Sequence, residues 1–275
     1  MEESNPYIFK KFPITLCKLL YYSLQNSNNF VIIILKQRVI RGDFMQVVLR
    51  KEKKYLINQI EYNKIKFYLG NILEKDSHNG DFGYMVRSLY FDTPFDEDLE
   101  EKNQGVELRR KVRLRIYDAK ADFALLEMKQ KQGEMQLKRS LKISRADAEK
   151  LVKGQYEVLL NYKGDFSSEI YGFMRRKAYV PKSIVQYNRF GFVAKENRIR
   201  ITFDSKISAT ESSFQLFSEK LNLNPVMDRS LAVLEIKYNG FLLSYIKDAL
   251  NMVDKRELAV SKYLLSRQNS AQSHI

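Results

Sequence analysis

Charged and hydrogen-bonding side chains recur two residues apart along this chain: Glu52 with Lys54, Arg113 with Arg115, Glu127 with Lys129, Tyr187 with Arg189, Arg198 with Arg200, and Glu235 with Lys237. In an extended strand, residues two apart point to the same side, so each pair projects its groups into one space. Guanidinium and ammonium groups gathered in a cavity suit phosphate. They neutralise its charge and stabilise the charge that develops on a phosphoryl group in transfer. Carboxylates among them offer the oxygen ligands that magnesium and manganese prefer. A carboxylate two residues before a lysine also has a plainer reading, a salt bridge. For Glu52 with Lys54 and for Glu127 with Lys129 both readings stand.

The elements that would position these groups are strands. In the stretch 104–143, three segments alternate with a period of two. Glu107, Arg109, Lys111, Arg113, Arg115 and Tyr117 share one face against Leu108, Val112, Leu114 and Ile116, with Arg110 interrupting the apolar side. Glu127, Lys129 and Lys131 oppose Leu126 and Met128; Gln136, Lys138, Ser140 and Lys142 oppose Met135, Leu137, Leu141 and Ile143. One such strand would be a solvated outer face. Many cationic faces repel one another unless an anion lies between them. Their repetition therefore predicts a barrel whose interior takes a polyanion.

Composition narrows the function further. The 275 residues carry 47 Lys and Arg against 33 Asp and Glu, a net charge of +14, which calls for an acidic partner. Cys17 is the sole cysteine, so the chain can form no internal disulfide and no cysteine zinc site. His78 falls in a turn-rich segment and His274 at the C-terminus, which argues against histidine catalysis. The sequence has neither a Gly-x-x-x-x-Gly-Lys-Ser/Thr loop nor the protein-kinase signatures, so phosphate must be held by side chains. A nucleic-acid binder would interleave exposed aromatic rings with basic residues, whereas most Tyr and Phe here alternate onto apolar faces.

Residues 1–44 stand apart. Their apolar run, 30–35, is too short to span a bilayer, which takes about 20 residues. The periodic pattern begins only after Met45. That residue is the expected start of the functional chain, with 1–44 either an over-extended reading frame or a helical extension. Strands are expected at 51–57, 84–92, 184–193, 198–204 and 231–238. Helices are expected from an Asn58 cap to about 74, at 144–153 behind Ser144, at 167–178, at 241–253 and at 258–266. A short helix or loop fills 94–102, and a disordered tail 268–275. The fold class is α+β: one domain over 45–267, with helices around the strands.

The first strand resembles the opening signature of the triphosphate tunnel metalloenzymes, Glu-x-Glu-x-Lys, with Arg50 in place of the first glutamate. The resemblance is closer to one branch, the catalytic domain of the vacuolar transporter chaperone (VTC) polyphosphate polymerases. It is carried by Lys54-Tyr55, Ser88 to Asp92, Arg113 to Tyr117, Glu127-Met128-Lys129, Lys138-Arg139-Ser140, Tyr187-Asn188-Arg189, Arg198-Ile199-Arg200, Leu234 to Lys237 and Ser261-Lys262-Tyr263, in family order. The resemblance implies an antiparallel β-barrel tunnel of about eight strands surrounded by helices. It also implies transfer of the ATP γ-phosphate to a growing polyphosphate chain, with a divalent metal, manganese or magnesium.

Carried onto this sequence, Arg113, Arg115, Lys129, Arg189 and Lys262 become the catalytic cations. Lys54, Lys138, Tyr187, Arg198, Arg200 and Ser261 become substrate ligands, the two arginines of 198–200 near the tunnel mouth. Glu235 becomes the metal ligand, with Glu127 and Glu52 as candidate helpers. The membrane-spanning parts of eukaryotic relatives have no counterpart here. The implied protein is therefore a stand-alone cytoplasmic enzyme that takes ATP and polyphosphate and no nucleic acid, with room for a membrane partner protein. Loss of the first signature glutamate to Arg50 weighs against the family's triphosphatase and cyclase branches. A non-catalytic module that binds polyphosphate or nucleotide is the other alternative.

Overall fold

The computed structural model describes residues 44–48, 51–132, 135–254 and 261–272. The expected extension therefore lies outside the described residues except for Phe44. Eleven strands form one antiparallel sheet. They are β1 (Phe44–Val48), β2 (Lys51–Asn58), β3 (Glu74–Lys75), β4 (Tyr84–Asp92), β5 (Leu108–Ile116), β6 (Phe123–Gln132), β7 (Met135–Ser144), β8 (Val180–Ala194), β9 (Ile199–Thr210), β10 (Asn224–Pro225) and β11 (Leu231–Tyr238). The order is β1-β7-β6-β5-β4-β8-β9-β11-β2, with two-residue β3 and β10 beside β8 and β9. Its helices are α1 (Gln59–Gly70), α2 (Glu97–Asn103), α3 (Arg145–Val152), α4 (Asp165–Arg176), α5 (Ser244–Leu250) and α6 (Lys262–Gln272).

The two outermost strands, β1 and β2, are separated by only two residues of chain. Three Cα steps reach at most about 11 Å, so the edges of the sheet must approach each other and the sheet must roll up. Contacts across the interior bear this out: Lys129 of β6 reaches Glu52 of β2 at 3.2 Å. Among the described residues the ladder is open between β1 and β2, and the result is a tunnel rather than a hydrogen-bonded closed barrel.

Alternation sorts each strand into a charged inner side and an apolar outer side. Val112, Leu114 and Ile116 of β5, Leu126 and Met128 of β6, and Leu141 and Ile143 of β7 pack outward with Ala148 and Leu151 of α3 and Ile170 and Met174 of α4. Ile57, Ile201, Phe203, Leu234 and Ile236 do the same against Tyr62, Ile65 and Leu69 of α1 and Ile246 of α5. Arg110, which breaks the apolar side of β5, sets its guanidinium 5.0 Å from the Phe173 ring. Cation–π contact lets it remain among apolar neighbours.

Several element ends differ from expectation, each for a local reason. The α1 helix stops at Gly70 rather than near 74, because the chain turns to pair Glu74 and Lys75 with Val193 and Phe192. Asn58 and Glu61 close its capping box reciprocally. α5 covers only Ser244–Leu250 of the expected 241–253. α6 runs on to Gln272, past its expected end at 266 and into the expected tail. β9 continues beyond Asp204 through a bulge at Lys206, whose φ is 53°. The bulge exchanges inner and outer sides: Arg200 to Asp204 face inward at even positions, while Ile207 and Ala209 join the inner apolar cluster with Val86, Val185, Val233 and Tyr263.

Gly83 is required where the loop 76–83 enters β4. Its φ is +95°, and a Cβ there would stand 2.3 Å from the Arg189 carbonyl oxygen. Gly83→Ala should therefore destabilise the protein by about 3 kcal/mol or more, read as a lowered melting temperature. An unchanged melting temperature would mean that the loop does not press on β8.

Candidate active site

A cavity of about 660 Å³ runs inside the rolled sheet. It brings together twelve of the fourteen side chains singled out in the sequence: Glu52, Lys54, Arg113, Arg115, Glu127, Lys129, Lys138, Tyr187, Arg189, Glu235, Ser261 and Lys262. Strand parity places the first ten. The last two come from the start of α6, whose Tyr263 stacks on Tyr90 at 5.1 Å and donates to Asp92 Oδ2 at 2.9 Å. That buried carboxylate also accepts the backbone N–H of Asp98 and Leu99 at the start of α2. It thus ties α2 and α6 to the end of β4.

Inside, the acidic groups are nodes for cations. Glu127, 1% exposed, takes Arg113 Nε and Nη2 at 2.8 Å and Lys138 Nζ at 2.5 Å, with Arg115 Nη1 at 3.7 Å. Asp204 takes Arg189 through two parallel contacts of 2.6 and 2.8 Å and Lys262 at 2.6 Å. Glu235 has Lys237 at 3.2 Å, Arg189 at 3.5 Å and Lys54 at 3.7 Å. Glu52 pairs with Lys54 and with Lys129. The Tyr187 ring is a platform for cations: Arg189 and Lys262 lie 5.3 and 4.7 Å from its centre.

These contacts set the protonation states. Burial would raise the Glu127 carboxyl, but Arg113, Arg115 and Lys138 outweigh it and hold Glu127 ionised far below the usual carboxylate range. Burial likewise opposes ionisation of Glu235, and Lys237, Lys54, Lys262 and Arg189 override it. Lys111 forms no ion pair with a carboxylate among the described residues, Asp98 acting on it only at longer range. Burial, then Lys129, Lys54, Lys102 and Arg113, push its ammonium down to about 7. Burial also pushes Lys237 down to about 8, against the pull of Glu235 and Glu52.

The family model of the VTC domain matches residues 49–270. The chain belongs to the VTC domain family. No curated protein matches it. Among solved structures, one from Hippeastrum, provisionally assigned as an adenylyl cyclase and described as having a dominant triphosphatase activity, is 14% identical; the alignment covers 79% of this chain and 95% of that one, with a TM-score of 0.48. A provisionally assigned adenylate cyclase of Bacillus halodurans is 12% identical over 76% of this chain and 88% of that one, TM-score 0.41. The PH1819 protein of Pyrococcus horikoshii OT3 is 11% identical over 80% and 99%, TM-score 0.42.

Two of the expected substrate ligands fall outside the cavity of this VTC domain. Arg198 sits in the turn before β9 with φ 46° and an exposed side chain. Arg200 turns to Asp76 Oδ2 at 2.5 Å and the Tyr84 hydroxyl at 3.0 Å. Asp76 itself leans over Gly191, where a Cβ would stand 3.1 Å from its own. It also accepts the backbone N–H of His78. The loop 76–83 thus engages Arg200, and a strand pattern cannot show a loop that folds back.

The cavity also holds cations that the expected set omitted: Lys111, Lys237, Lys131, Arg109 and Lys102. Lys111 and Lys237 were visible in the alternation of β5 and β11. Lys102 reaches the cavity from α2 and carried no signal. Asp204 was legible by parity as a carboxylate on one face of β9, but its pairing with Arg189 depends on the register of β8 and β9 and was not.

For a divalent metal the donors are few. Among the described residues no three His, Cys, Asp or Glu groups stand together to hold an ion. The Lys54 ammonium nonetheless contacts both Glu52 and Glu235. A cation between two carboxylates is therefore already part of this site, and it fits a metal completed by phosphate oxygens and water. Glu127 is paired with Arg113 and Lys138, with Arg115 beyond them at 3.7 Å, so an ion there would have to displace one of these cations. No helix among the described residues is long and apolar enough to cross a membrane.

Glu127→Gln should cost about 3 kcal/mol, because it strands Arg113, Arg115 and Lys138. Inorganic tripolyphosphate should restore more of the melting temperature in the variant than it adds to the wild type; equal shifts would mean that Glu127 is not their counter-ion. A second prediction concerns Lys111. At pH 8 an ammonium with a value of about 7 is mostly neutral, and a bound anion raises it toward the usual range. Binding of tripolyphosphate should therefore take up protons, seen as a dependence of calorimetric heat on buffer ionisation. Lys111→Met should lower that uptake, leaving the smaller share that Lys237 supplies, and proton release would contradict it.

Proposed function

We propose that this VTC domain is a polyphosphate polymerase that transfers the γ-phosphate of ATP to the end of a polyphosphate chain held in the same tunnel. The observation that carries this reading is the balance of the cavity. Its described lining has fourteen Lys and Arg residues, of which Lys53 and Arg110 turn their side chains outward, and three Glu, and those glutamates are already engaged by cations. An enclosed surplus of that size needs a polyanion long enough to meet all of it, and two phosphate chains end to end supply one. Among the described lining residues no carboxylate is without a cationic partner and left to activate water, which favours phosphate over water as the acceptor.

The residues divide the work by position. Arg113 and Arg115, buried and fixed by Glu127 and by the Ser88 hydroxyl at 3.2 Å, are preorganised to hold equatorial phosphate oxygens without reorganising as charge moves. Arg189 and Lys262, fixed by Asp204 and the Tyr187 ring, would do the same from the opposite wall. Lys129, Lys54 and Lys138 would bind the flanking phosphates, and Ser261 would donate a hydrogen bond. Glu235, with Glu52 beside it, would hold manganese or magnesium, which when bound supplies a Lewis acid on phosphate oxygens. This reading gives the enzyme the ATP-containing cytoplasm as its place of work.

Purified protein given ATP and manganese should yield ADP and a long phosphate polymer. Orthophosphate as the sole phosphate product would favour a tunnel triphosphatase, and tight binding without turnover a binding module. Within that assay, Glu235→Gln should abolish synthesis while keeping or raising metal-free tripolyphosphate affinity, since it removes an anion from a cationic wall. Arg115→Ala should lose affinity itself. Full synthesis in Glu235→Gln would transfer the metal role to Glu52.

A further inference from the structure

Lys111 has no role in the polymerase reading, and its neighbour Ser261 has only that of a hydrogen-bond donor. The Lys111 Nζ lies 2.9 Å from the Ser261 Oγ, and both line the phosphate cavity. Ser261 opens α6: its Oγ also accepts the Leu264 backbone N–H at 3.2 Å. The positive end of a helix favours negative charge on that oxygen. Around the amine stand Lys129 of β6, Lys54 of β2, Lys102 of α2 and Arg113 of β5, all cationic; Asp98 of α2 is near enough to act on it electrostatically, and none of the described carboxylates forms an ion pair with it. That setting favours the neutral amine, whose lone pair can accept the hydroxyl proton, and it distinguishes Lys111 from Lys54, Lys138, Lys237 and Lys262, each of which has a carboxylate partner.

We propose that Ser261 is itself a phosphoryl acceptor in this tunnel, with Lys111 as its base. The step balances within the named groups. The Ser261 oxygen attacks the γ-phosphorus of a nucleoside triphosphate, an oxygen–phosphorus bond forms, and the bond from that phosphorus to the β,γ-bridging oxygen breaks. The nucleoside diphosphate departs with the bonding pair, and the hydroxyl proton passes to Lys111 Nζ. The resulting ammonium stays beside the new phosphoserine as its counter-ion. Phosphoserine presents a terminal phosphate inside the cavity, so it could serve as the first acceptor when no phosphate chain is available. The inference rests on ATP being the substrate of this cavity.

Two assays separate the inference from that premise. Elongation of an added short polyphosphate with ATP and manganese reports whether the cavity uses ATP. Peptide mass spectrometry after incubation with ATP alone reports phosphate on Ser261. The expected result is one phosphoryl group on the peptide containing Ser261 in the full-length wild type, and none there in Ser261→Ala. Ser261→Thr, which keeps a hydroxyl at the helix start, should be labelled at the threonine and guards against loss of the helix as the cause. Lys111→Arg keeps the positive charge and cannot act as a base, so labelling should fall by about a hundredfold. Labelling in the wild type should also rise with pH through 7. A wild type that elongates added polyphosphate yet carries no phosphate on Ser261 would overturn the proposal and leave the polymerase reading standing. Undiminished labelling in Lys111→Arg would overturn the role of Lys111.

Discussion

Like charge confined in a narrow, poorly hydrated space is the constraint on which this structure depends. Twelve cations turned toward one cavity would burst it if left alone. Buried carboxylates hold the arrangement together: Glu127 for Arg113, Arg115 and Lys138, Asp204 for Arg189 and Lys262, and Glu235 and Glu52 for the lysines between. Each node joins neighbouring strands or opposite walls, so the same contacts that compensate charge also fix the bore. The surplus left after this compensation is what a ligand must supply.

That arrangement separates two tasks that acidic residues perform in such sites. Glu127 and Asp204 are held by guanidinium and ammonium groups and act as fixed counter-ions for them. Glu235 and Glu52 share a single ammonium, that of Lys54. The apolar shell outside sets the orientation of both kinds. Leu114 and Leu126, paired across β5 and β6, pin the register that also brings Arg113 opposite Glu127.

Much of this was legible in the sequence, because strand parity is a strict rule. The inward face of β5 followed from a period of two, and so did the outward packing of Val112 and Leu114. Register was not legible. That Glu127 would meet Arg113 of the neighbouring strand, rather than Lys129 two residues on, depends on the turn at 117–122 and not on either strand alone. Arg200 was misplaced for a related reason: its parity was right, but a loop 124 residues earlier in the chain supplies Asp76 and captures its guanidinium. Lys102 arrives from a helix whose sequence is mostly acidic, and nothing local marks it as facing a cationic cavity.

The bulge at Lys206 has a consequence for how such a chain can vary. Before it, β9 offers Arg200, Thr202 and Asp204 to the interior. After it, β9 offers Ile207 and Ala209, which close over the inner apolar cluster with Tyr263. One left-handed residue is thus the border between the wet and the dry ends of the bore. Surface loops of this protein can gain or lose residues with little effect on the strands they join. An insertion or deletion at this position would instead turn every later side chain of β9 inside out. Among homologues the length of β9 up to this point should therefore be frozen while loop lengths drift.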